Sequence, residues 1–544
     1  MPPNARLWYN LPAQQPFAFR PQEIRSVIQR ATQSPEYWGQ SFSVQPDDLD
    51  HLLNLFLEDE MPRSADELAL ALVRYRCQRE ESALSRELIK GKLYQPKDTY
   101  AVGDQVVFPA LKFAAGTVIA VRDGVNPEIG PFKVIRVELD NGHTREFAAE
   151  YSAPHRLNTD GSLAVDEALL SPEELFKRHG RPVVDKLAQT LNESPDLVRL
   201  AGKWFLRSLI ADVNVGHLNL AEAVLDMHQG GPLPTEALLK DIGMPEQINR
   251  HLQIFSLNHA LQHDERFDEV GPAGEVLWFL RRLEPPEVLF QPPRLIAAGA
   301  PSDRSRLDDA LLRIEREIDD ELSAIPAPDD DYDEVTFVLT YPHRRVGTVP
   351  LSPRIARLFP TGRTHRIRFM FEDARTGQRW PGWVVREHAY AFGLDTWYEA
   401  NDVPAGAYVQ IRRADDPGVV AVDLKGRRPK REWVRVTHVK DRRVTFEMVK
   451  RQIGCDYDEL MMLVVDDPAV IDEAWLRLAG ENLSHLIGAL FPELAKLSPQ
   501  GTVHAKSLYA AMNALRRIAP GPLFAAWSAH PAVRIVGDGY GVSH

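Results

Sequence analysis

The chain has 544 residues and a formal net charge of −13, from 64 Lys and Arg against 77 Asp and Glu. Its hydrophobic share of 44% is ordinary for globular proteins, and its length predicts about three to five domains. Two cysteines are too few for a disulfide framework or a zinc finger, and no apolar run is long enough to span a membrane. The composition argues against secreted scaffolds and membrane proteins, and it predicts a cytoplasmic location.

The N-terminal residues 1–97 are predicted to be helical. Apolar residues recur three and four positions apart in residues 21–30 and 47–57. Ser64 and Glu67 form a capping box at the start of a further long helix. No motif for catalysis or ligand binding occurs there, so packing or the docking of a partner is the expected role.

Residues 98–157 are predicted to form a small β-barrel. From Tyr100 onward hydrophobic residues alternate with a period of two, and the turn Asp140-Asn-Gly-His143 separates the last two strands. Four short strands in about fifty residues bury a core only when they curl. The predicted strands are residues 102–109, 116–122, 132–139 and 144–147.

The segment VGDQVVFPALKFAAGTVIAV resembles the opening of the KOW/Tudor-like small barrels, and most of all the CarD-type module that binds RNA polymerase. The resemblance implies a contact with RNA polymerase. Residues 123–130 are an insertion relative to the compact CarD pattern. A barrel that only spaces its neighbouring domains is therefore the alternative.

Residues 165–284 are predicted to be a helical region that ends in a winged helix at about residues 210–283. Ser171-Pro-Glu-Glu174 has the cap, the proline and the acidic residues of a helix start, and helices are predicted from there to Ile210. Three helices and a two-strand wing are then predicted at residues 220–227, 234–240, 249–263 and 264–280.

The segment LQHDERFDEVGPAGEVLWFLRRL resembles the HARE-type winged helix found in the delta subunit of bacterial RNA polymerase and in some chromatin proteins. Members of this family do not all read DNA. The third helix combines Arg250, His251 and His259 with Asp264 and Glu265, which is a weak basic face. Insertion into a DNA groove and docking of a protein both stay open.

Residues 451–544 are predicted to be a helical region that holds a second winged-helix-like domain, with two helices and a C-terminal hairpin at residues 533–542. The segment between the two winged helices, residues 285–332, is predicted to be a linker. Its parts are an extended Pro-rich stretch at 284–293, a short charged helix at 308–322 and an acidic hinge at 325–331. The predicted positive patch of the second winged helix consists of Lys506, Arg516 and Arg517.

Positive charge is concentrated in one part of this acidic chain. Residues 335–371 contain seven arginines and no Asp or Glu, and residues 333–451 hold 23 Lys and Arg against 14 Asp and Glu. The guanidinium group is a planar fork that binds phosphate or guanine edges at two points. A positive segment in a negative protein marks the place where a polyanion docks. A solvated basic face is the alternative.

The strand order of residues 333–450 resembles the DNA-binding pseudobarrel of plant auxin-response-factor-type regulators, whose relatives also serve as recognition domains of restriction enzymes. In that family two arms straddle the major groove, and the resemblance places them at residues 341–345 and 386–390. Glu387 departs from the family pattern in the second arm. The loop at residues 426–431 adds phosphate contacts. The candidate DNA-binding residues are Arg344, Arg345, Arg363, Arg366, Arg368, Arg386, His388, Tyr390, Arg427, Arg428, Lys430 and Arg431.

No catalytic centre, metal site or cofactor is predicted. The chain has no HExxH, Walker or G-x-S-x-G motif, and Asp423-Leu-Lys425 resembles only half of a PD-(D/E)xK nuclease site. The sequence thus predicts a multidomain α+β protein, with Pro-rich linkers between a small barrel, winged helices and a pseudobarrel. Its expected function is non-enzymatic DNA binding in transcription, near the nucleoid, with duplex DNA and RNA polymerase or other transcription proteins as partners. A metal-dependent nuclease or restriction-type recognition protein and a protein-interaction scaffold are the alternatives.

Overall fold

The computed structural model describes residues 30–39, 42–111, 113–125, 130–153, 155, 157–158, 169–245, 247–297, 299, 303–323, 325–327 and 329–543. The chain is a mixed α+β protein with several sheets, one of which curls into a half-barrel. This confirms the mixed α+β class that the sequence predicts. The chain divides into two compact units, which we call unit 1 (Met1–Ile210) and unit 2 (Ala211–His544). Apart from Arg30, the helix predicted at residues 21–30 lies outside the described residues.

Unit 1 consists of long helices, a three-stranded sheet and a five-stranded sheet. The five strands follow one another in chain order, as a meander does, and Val106, Ile135 and Val137 are among the residues of their core. The elements are α1 (Pro46–Asp59), β1 (Arg63–Ser64), α2 (Ala65–Leu88), β2 (Lys92–Leu93), β3 (Gln105–Phe108), β4 (Ala114–Asp123), β5 (Lys133–Leu139), β6 (Thr144–Ala149), α3 (Pro172–Glu193), β7 (Leu197–Leu200) and β8 (Lys203–Leu206).

The predicted helix starts of unit 1 are confirmed, but the prediction of helices as far as Ile210 is wrong. The Ser64 hydroxyl accepts a hydrogen bond from the Glu67 backbone N–H, and the Glu67 carboxylate accepts one from the Ser64 N–H. After α3 the chain forms the antiparallel pair β7–β8 instead of a further long helix. The two turn residues, Ala201 and Gly202, have φ of +53° and +77°, as a tight hairpin turn requires.

Unit 2 begins with three helices and a hairpin, and continues into a seven-stranded sheet. The sheet has the order β12-β17-β18-β14-β15-β16-β13, and its strands β14 and β18 run parallel. The elements up to the last of these strands are α4 (Val215–Met227), β9 (Leu233–Pro234), α5 (Thr235–Ile242), α6 (Arg250–Gln262), β10 (Phe267–Glu269), β11 (Leu277–Leu280), α7 (Pro286–Leu289), α8 (Asp309–Ile318), β12 (Glu334–Val338), α9 (Tyr341–Val346), β13 (Thr348–Pro350), β14 (Arg366–Asp373), β15 (Arg379–Val385), β16 (Tyr390–Phe392), α10 (Asp395–Ala400), β17 (Tyr408–Arg413) and β18 (Val419–Leu424).

A long two-stranded hairpin and a helical region complete unit 2. The hairpin strands are eleven residues each and pair along their whole length, from Lys430 opposite Ile453 to Lys440 opposite Arg443. The remaining elements are β19 (Lys430–Lys440), β20 (Arg443–Ile453), β21 (Val464–Val465), α11 (Pro468–Leu478), α12 (Leu483–Ala495), β22 (Thr502–His504), α13 (Ala505–Leu515), α14 (Pro520–Ser528), β23 (Val533–Gly537) and β24 (Tyr540–Ser543).

One arrangement occurs three times in the described part of the chain: helix, short strand, helix, helix, hairpin. In each copy the short strand pairs with the last hairpin strand, which gives the sheet orders β1-β8-β7, β9-β11-β10 and β22-β24-β23. The first two copies also share the sequence Trp-Phe-Leu-Arg, at Trp204 and Trp278, in the last strand and just after it. We call the copies the first module (α1, α2, α3), the second module (α4, α5, α6) and the third module (α12, α13, α14).

The predicted linker contains ordered elements that pack against their neighbours. The expected extended stretch at residues 284–293 includes the short helix α7, because Pro285 and Pro286 occupy the N-cap and the first helical position, where no N–H is needed. Val288 of this helix is buried. In α8, Leu311 and Ile314 are buried in the core that surrounds the third module. These segments are therefore part of unit 2 and do not separate free domains.

Candidate nucleic-acid interface

The first predicted DNA-binding arm is a helix and not a loop. Residues 341–346 form α9, and the Arg344 Nε donates a hydrogen bond to the carbonyl oxygen of Val403 at 2.6 Å. The Arg344 guanidinium lies 5.7 Å from the ring centroid of Tyr398, and burial lowers its pKa. Arg345 forms an ion pair with Asp472 at 2.8 Å. Both arginines therefore hold elements of unit 2 together.

Arg366 and Arg368 of β14 join the second module to the seven-stranded sheet. Arg366 forms an ion pair with Asp268 of β10 and donates a hydrogen bond to the buried Glu284 at 3.4 Å. The Arg368 guanidinium lies 4.9 Å from the ring centroids of both Phe279 and Trp383, and burial lowers its pKa. The prediction that these arginines hold phosphate placed them on a free surface, whereas the structure places them in an internal contact.

The second predicted arm is also part of the folded body. Arg386 and His388 belong to a short 3₁₀ helix, and Tyr390 begins β16, which pairs with β15. Tyr390 is buried, and its hydroxyl donates to the carbonyl oxygen of Glu287 at 2.6 Å. The exposed Arg386 donates to the carbonyl oxygen of Gly362 at 3.3 Å, and the His388 ring stacks on Tyr390. Among these three residues, only Arg386 extends into solvent.

The remaining candidates separate into paired and unpaired cations. Arg427 donates to Asp423 at 2.6 Å, and Lys430 forms an ion pair with Asp456 at 3.1 Å. Arg363 is exposed, and its charge acts on the nearby carboxyl group of Glu269. Two further cations of the predicted set are exposed and have no ion-pair partner in the described part of the chain. They are Arg428 and Arg431.

An exposed aromatic residue lies beside these unpaired cations. The side chain of Trp433 on β19 is 62% exposed, although tryptophan is among the most strongly buried residue types. In the hairpin register Trp433 faces Lys450 on β20, and Arg431 lies two residues before it on the same face. Met448 on this face is also exposed. We call Arg428, Arg431, Trp433, Met448 and Lys450 the hairpin surface.

Local structure explains why this surface faces solvent. On the opposite face of the hairpin, Val434, Val436 and Val449 pack against the core of the seven-stranded sheet. On the same face as Trp433, but farther along, Phe446 and Val439 pack against the helical core. The helices thus cover one half of this hairpin face, and the half that carries Trp433 stays open.

The loop before β19 is fixed by a glycine. Gly426 has φ of +62°, and a Cβ atom there would lie 2.1 Å from a carboxylate oxygen of Asp456. Only glycine permits this close approach, which also places Asp456 within reach of Lys430. The loop therefore presents Arg428 in a defined position at one end of the hairpin surface.

The hairpin tip carries a second group of cations. Lys440, Arg442 and Arg443 are exposed there around the turn Asp441-Arg442, whose two residues both have positive φ. From Lys430 to Lys440 the strand β19 makes ten residue steps, which span about 33 Å. This length is close to the roughly 34–36 Å of one turn of B-DNA. Residues 425–453 contain eleven Lys or Arg and three Asp or Glu. The hairpin thus has cations at both ends, about one DNA turn apart.

The residues predicted from the sequence include part of the hairpin surface but not its centre. It selected Arg428 and Arg431 and did not single out Trp433 or Lys450. The signal is the regular alternation of residues 430–440 and 443–453 around a two-residue turn, which predicts which side chains share a face. Distant contacts, in contrast, decide which arginines are free, and no local pattern shows them.

The positive patch predicted for the C-terminal helices is wrong. Arg517 is buried, and its Nη2 donates to Asp320 and Glu321 at 2.7 Å each. Lys506 forms an ion pair with Asp458 at 3.0 Å, and Arg516 donates to a backbone carbonyl oxygen. These cations stabilise the core of the third module and are not available to a polyanion.

The acidic residue of the sequence Asp423-Leu-Lys425, which resembles half of a nuclease site, is bound by an arginine. The Asp423 carboxylate accepts a hydrogen bond from Arg427, whose Nη2 also lies 4.0 Å from Asp373. Lys425 lies over the ring of Tyr408, with 5.6 Å between its Nζ and the ring centroid. Within the described residues, no group of three or more His, Cys, Asp or Glu could hold a metal ion.

No protein-family model matches the chain, and neither a curated protein nor a solved structure matches it. None of the described helices is long and apolar enough to cross a membrane. The geometry and charge of the surfaces described above are therefore the basis for assigning a function.

Proposed function

We propose that this chain is a non-enzymatic DNA-binding protein that contacts duplex DNA through the hairpin surface and the hairpin tip. The observation that carries the proposal is the exposed Trp433 between the unpaired cations Arg431 and Lys450. Unpaired cations on a negative protein attract phosphates, and the release of counterions drives the association. The arginines of β14 and α9, which are bonded to other groups of unit 2, take no part in this contact.

The shape of the hairpin favours duplex DNA. The major groove of B-DNA is about 12 Å wide and admits a two-stranded β-ribbon. The cations near Arg431 and those near Arg442 are far enough apart to reach phosphates on both sides of one helical turn. Trp433 would pack against sugars or base edges at the centre of the contact.

We also propose a role in transcription, which the resemblances of the sequence suggest. The helix–strand–helix–helix–hairpin order of the three modules is the order expected of winged helices, and the five-stranded sheet covers most of the residues predicted to form a CarD-like barrel. RNA polymerase or another transcription protein is the proposed partner of these parts, and the nucleoid is the proposed location. A pull-down of RNA polymerase with the full chain tests this role.

The experiment for DNA binding uses the full chain and fluorescent oligonucleotides. We expect duplex DNA to bind with an affinity that falls steeply between 50 and 200 mM salt, as about three or more phosphate contacts require. The triple variant Arg431→Ala, Trp433→Ala, Lys450→Ala should lose at least tenfold in affinity. The control variant Arg412→Ala, Arg534→Ala removes two exposed cations from elsewhere in unit 2 and should bind as the wild type does. Equal affinities for the triple variant and the wild type, or preference for single strands, would contradict the proposal.

A further inference from the structure

The three modules differ in how far their third helix is exposed. In α6 of the second module seven of thirteen residues are buried, including the polar Gln253, Ser256 and Asn258. In α14 of the third module six of nine residues are buried, and none of the other three is fully exposed. In α3 of the first module only five of 22 residues are buried, and one side of the helix faces solvent. Of the three, α3 is the helix that a large ligand can reach.

The exposed side of α3 is basic at its N-terminal half. Lys177, Arg178 and Arg181 are exposed and have no ion-pair partner among the residues that the structure describes. At 100° per residue, these three cations lie with the exposed Asp185 and Gln189 within about 120° of the helix circumference. From the N-terminal to the C-terminal end of α3, this face therefore carries the three cations and then Asp185 and Gln189, whose side chains can form paired hydrogen bonds.

Two acidic residues, Glu173 and Glu174, lie before these cations in the first turn of α3. Glu173 is paired with Arg74 of α2 at 2.8 Å, so its charge is partly neutralised. Glu174 accepts hydrogen bonds from Ser171 in the capping box. The adjacent β7–β8 hairpin contributes the exposed Arg199, whose guanidinium lies 4.6 Å from the ring centroid of Trp204. The hairpin that follows α3 thus carries a further exposed cation.

We propose that α3 of the first module enters the major groove of duplex DNA. Lys177 and Arg178 bind phosphates, while Arg181, Asp185 and Gln189 face base edges, where Arg pairs with guanine, Asp accepts from cytosine and Gln pairs with adenine. The inference rests on the proposed function, because it takes duplex DNA as the ligand. It adds a second contact, in unit 1, that supplies sequence preference.

Selection of bound duplexes from a random pool by the full chain, followed by affinity measurements, tests this inference. Lys177→Ala with Arg178→Ala should lower the affinity for the selected duplex at least tenfold and reduce the slope of log affinity against log salt by about two. Gln189→Ala should leave that slope unchanged and relax the preference at one base pair. The control variant Arg86→Ala, Arg145→Ala removes two exposed cations of unit 1 outside α3 and should bind normally.

The outcomes separate this inference from the proposed function. If the hairpin triple variant loses affinity and the α3 variants do not, the α3 contact is wrong and DNA binding through the hairpin stands. If the α3 variants lose affinity and the hairpin variant does not, the hairpin contact is wrong and DNA binding through α3 stands. A wild-type chain that binds no duplex DNA overturns both. The unfolding temperature of each variant is measured as a control. A variant that unfolds at the same temperature as the wild type is folded, so its loss of affinity comes from the lost contact.

Discussion

The ring of Phe279 meets the ring of Trp383 edge-on, with 5.2 Å between their centroids. Phe279 belongs to the last strand of the second module, and Trp383 to β15 of the seven-stranded sheet. The guanidinium of Arg368 lies against both rings, and its backbone N–H donates to the carbonyl oxygen of Val270 at 2.9 Å. Arg368, which the arginine-rich sequence predicted to bind phosphate, therefore connects the second module to the seven-stranded sheet.

Arg368→Ala should destabilise unit 2 without changing DNA affinity. The variant loses two cation–aromatic contacts and the packing of the arginine stem, together about 1–3 kcal/mol. Thermal unfolding of the full chain checks the loss, and duplex titration checks the binding. Arg368→Lys should recover only part of the stability, because an ammonium group has no planar face to stack. A variant that loses DNA affinity while it unfolds at the wild-type temperature would restore the phosphate interpretation.

Arg344→Ala combined with Arg345→Ala should likewise leave duplex affinity within about twofold of the wild type. Arg344 is bonded to Val403, and Arg345 is paired with Asp472. The double variant should unfold at a lower temperature, because a hydrogen bond from a charged donor contributes about 1.5–3 kcal/mol. Salt titrations of both proteins should give the same slope. A shallower slope for the variant would show that these arginines contact phosphate.

Arg517→Met should be the most destabilising of the single changes considered. Arg517 is fully buried with Asp320 and Glu321, and its removal leaves Asp320 without a cation and Glu321 with His343 alone. Breaking a buried ion pair on one side costs about 3–5 kcal/mol. Chemical denaturation of the full chain should show an early transition in the variant. The matched substitution at the exposed Arg534 should have little effect, and equal transitions for both variants would contradict the prediction.

The stability of unit 2 should fall as the pH rises from 5 to 8. Burial, together with the nearby Asp268, raises the pKa of Glu284 from its ordinary value of 4.5 to about 8. Between these two values the folded protein keeps a proton that the unfolded chain releases, so raising the pH favours unfolding; above about pH 8 this contribution is constant.

Glu284→Gln tests this pH dependence. The neutral amide cannot ionise, so the variant should gain stability relative to the wild type as the pH rises, and its unfolding temperature should depend less on pH. Glu269, whose pKa burial raises to about 7, contributes in the same direction in both proteins. The control Glu275→Gln changes an exposed carboxyl group and should follow the wild-type curve. A constant difference between Glu284→Gln and the wild type at pH 5 and 8 would refute the assignment.

Local patterns in the sequence predicted the elements well but not their partners. The period of two at residues 132–139 and the capping box at Ser64 depend on neighbouring residues, and the structure has both. The arginine cluster failed as a guide to the interface because the acids that neutralise it are remote in sequence. Asp472 is 127 residues from Arg345, and Asp268 is 98 residues from Arg366.

The first module was missed for a different physical reason. Its second and third helices pack side by side, yet the strands β2–β6 stand between them in the chain. A search for three consecutive helices and a hairpin therefore finds the second and third modules only. The repeated Trp-Phe-Leu-Arg at Trp204 and Trp278 is the sequence signal that relates the first module to the second.

The strands between α2 and α3 also affect how the protein is made. Leu68, Leu72 and Val73 of α2 are buried in the finished protein, and α3 is the long helix that packs beside α2. At about 5–20 residues per second, a ribosome needs on the order of 4–16 s to synthesise the intervening sheet and deliver α3. During that interval the nascent α2 exposes an apolar surface, so chaperones that act at the ribosome exit should engage this chain early.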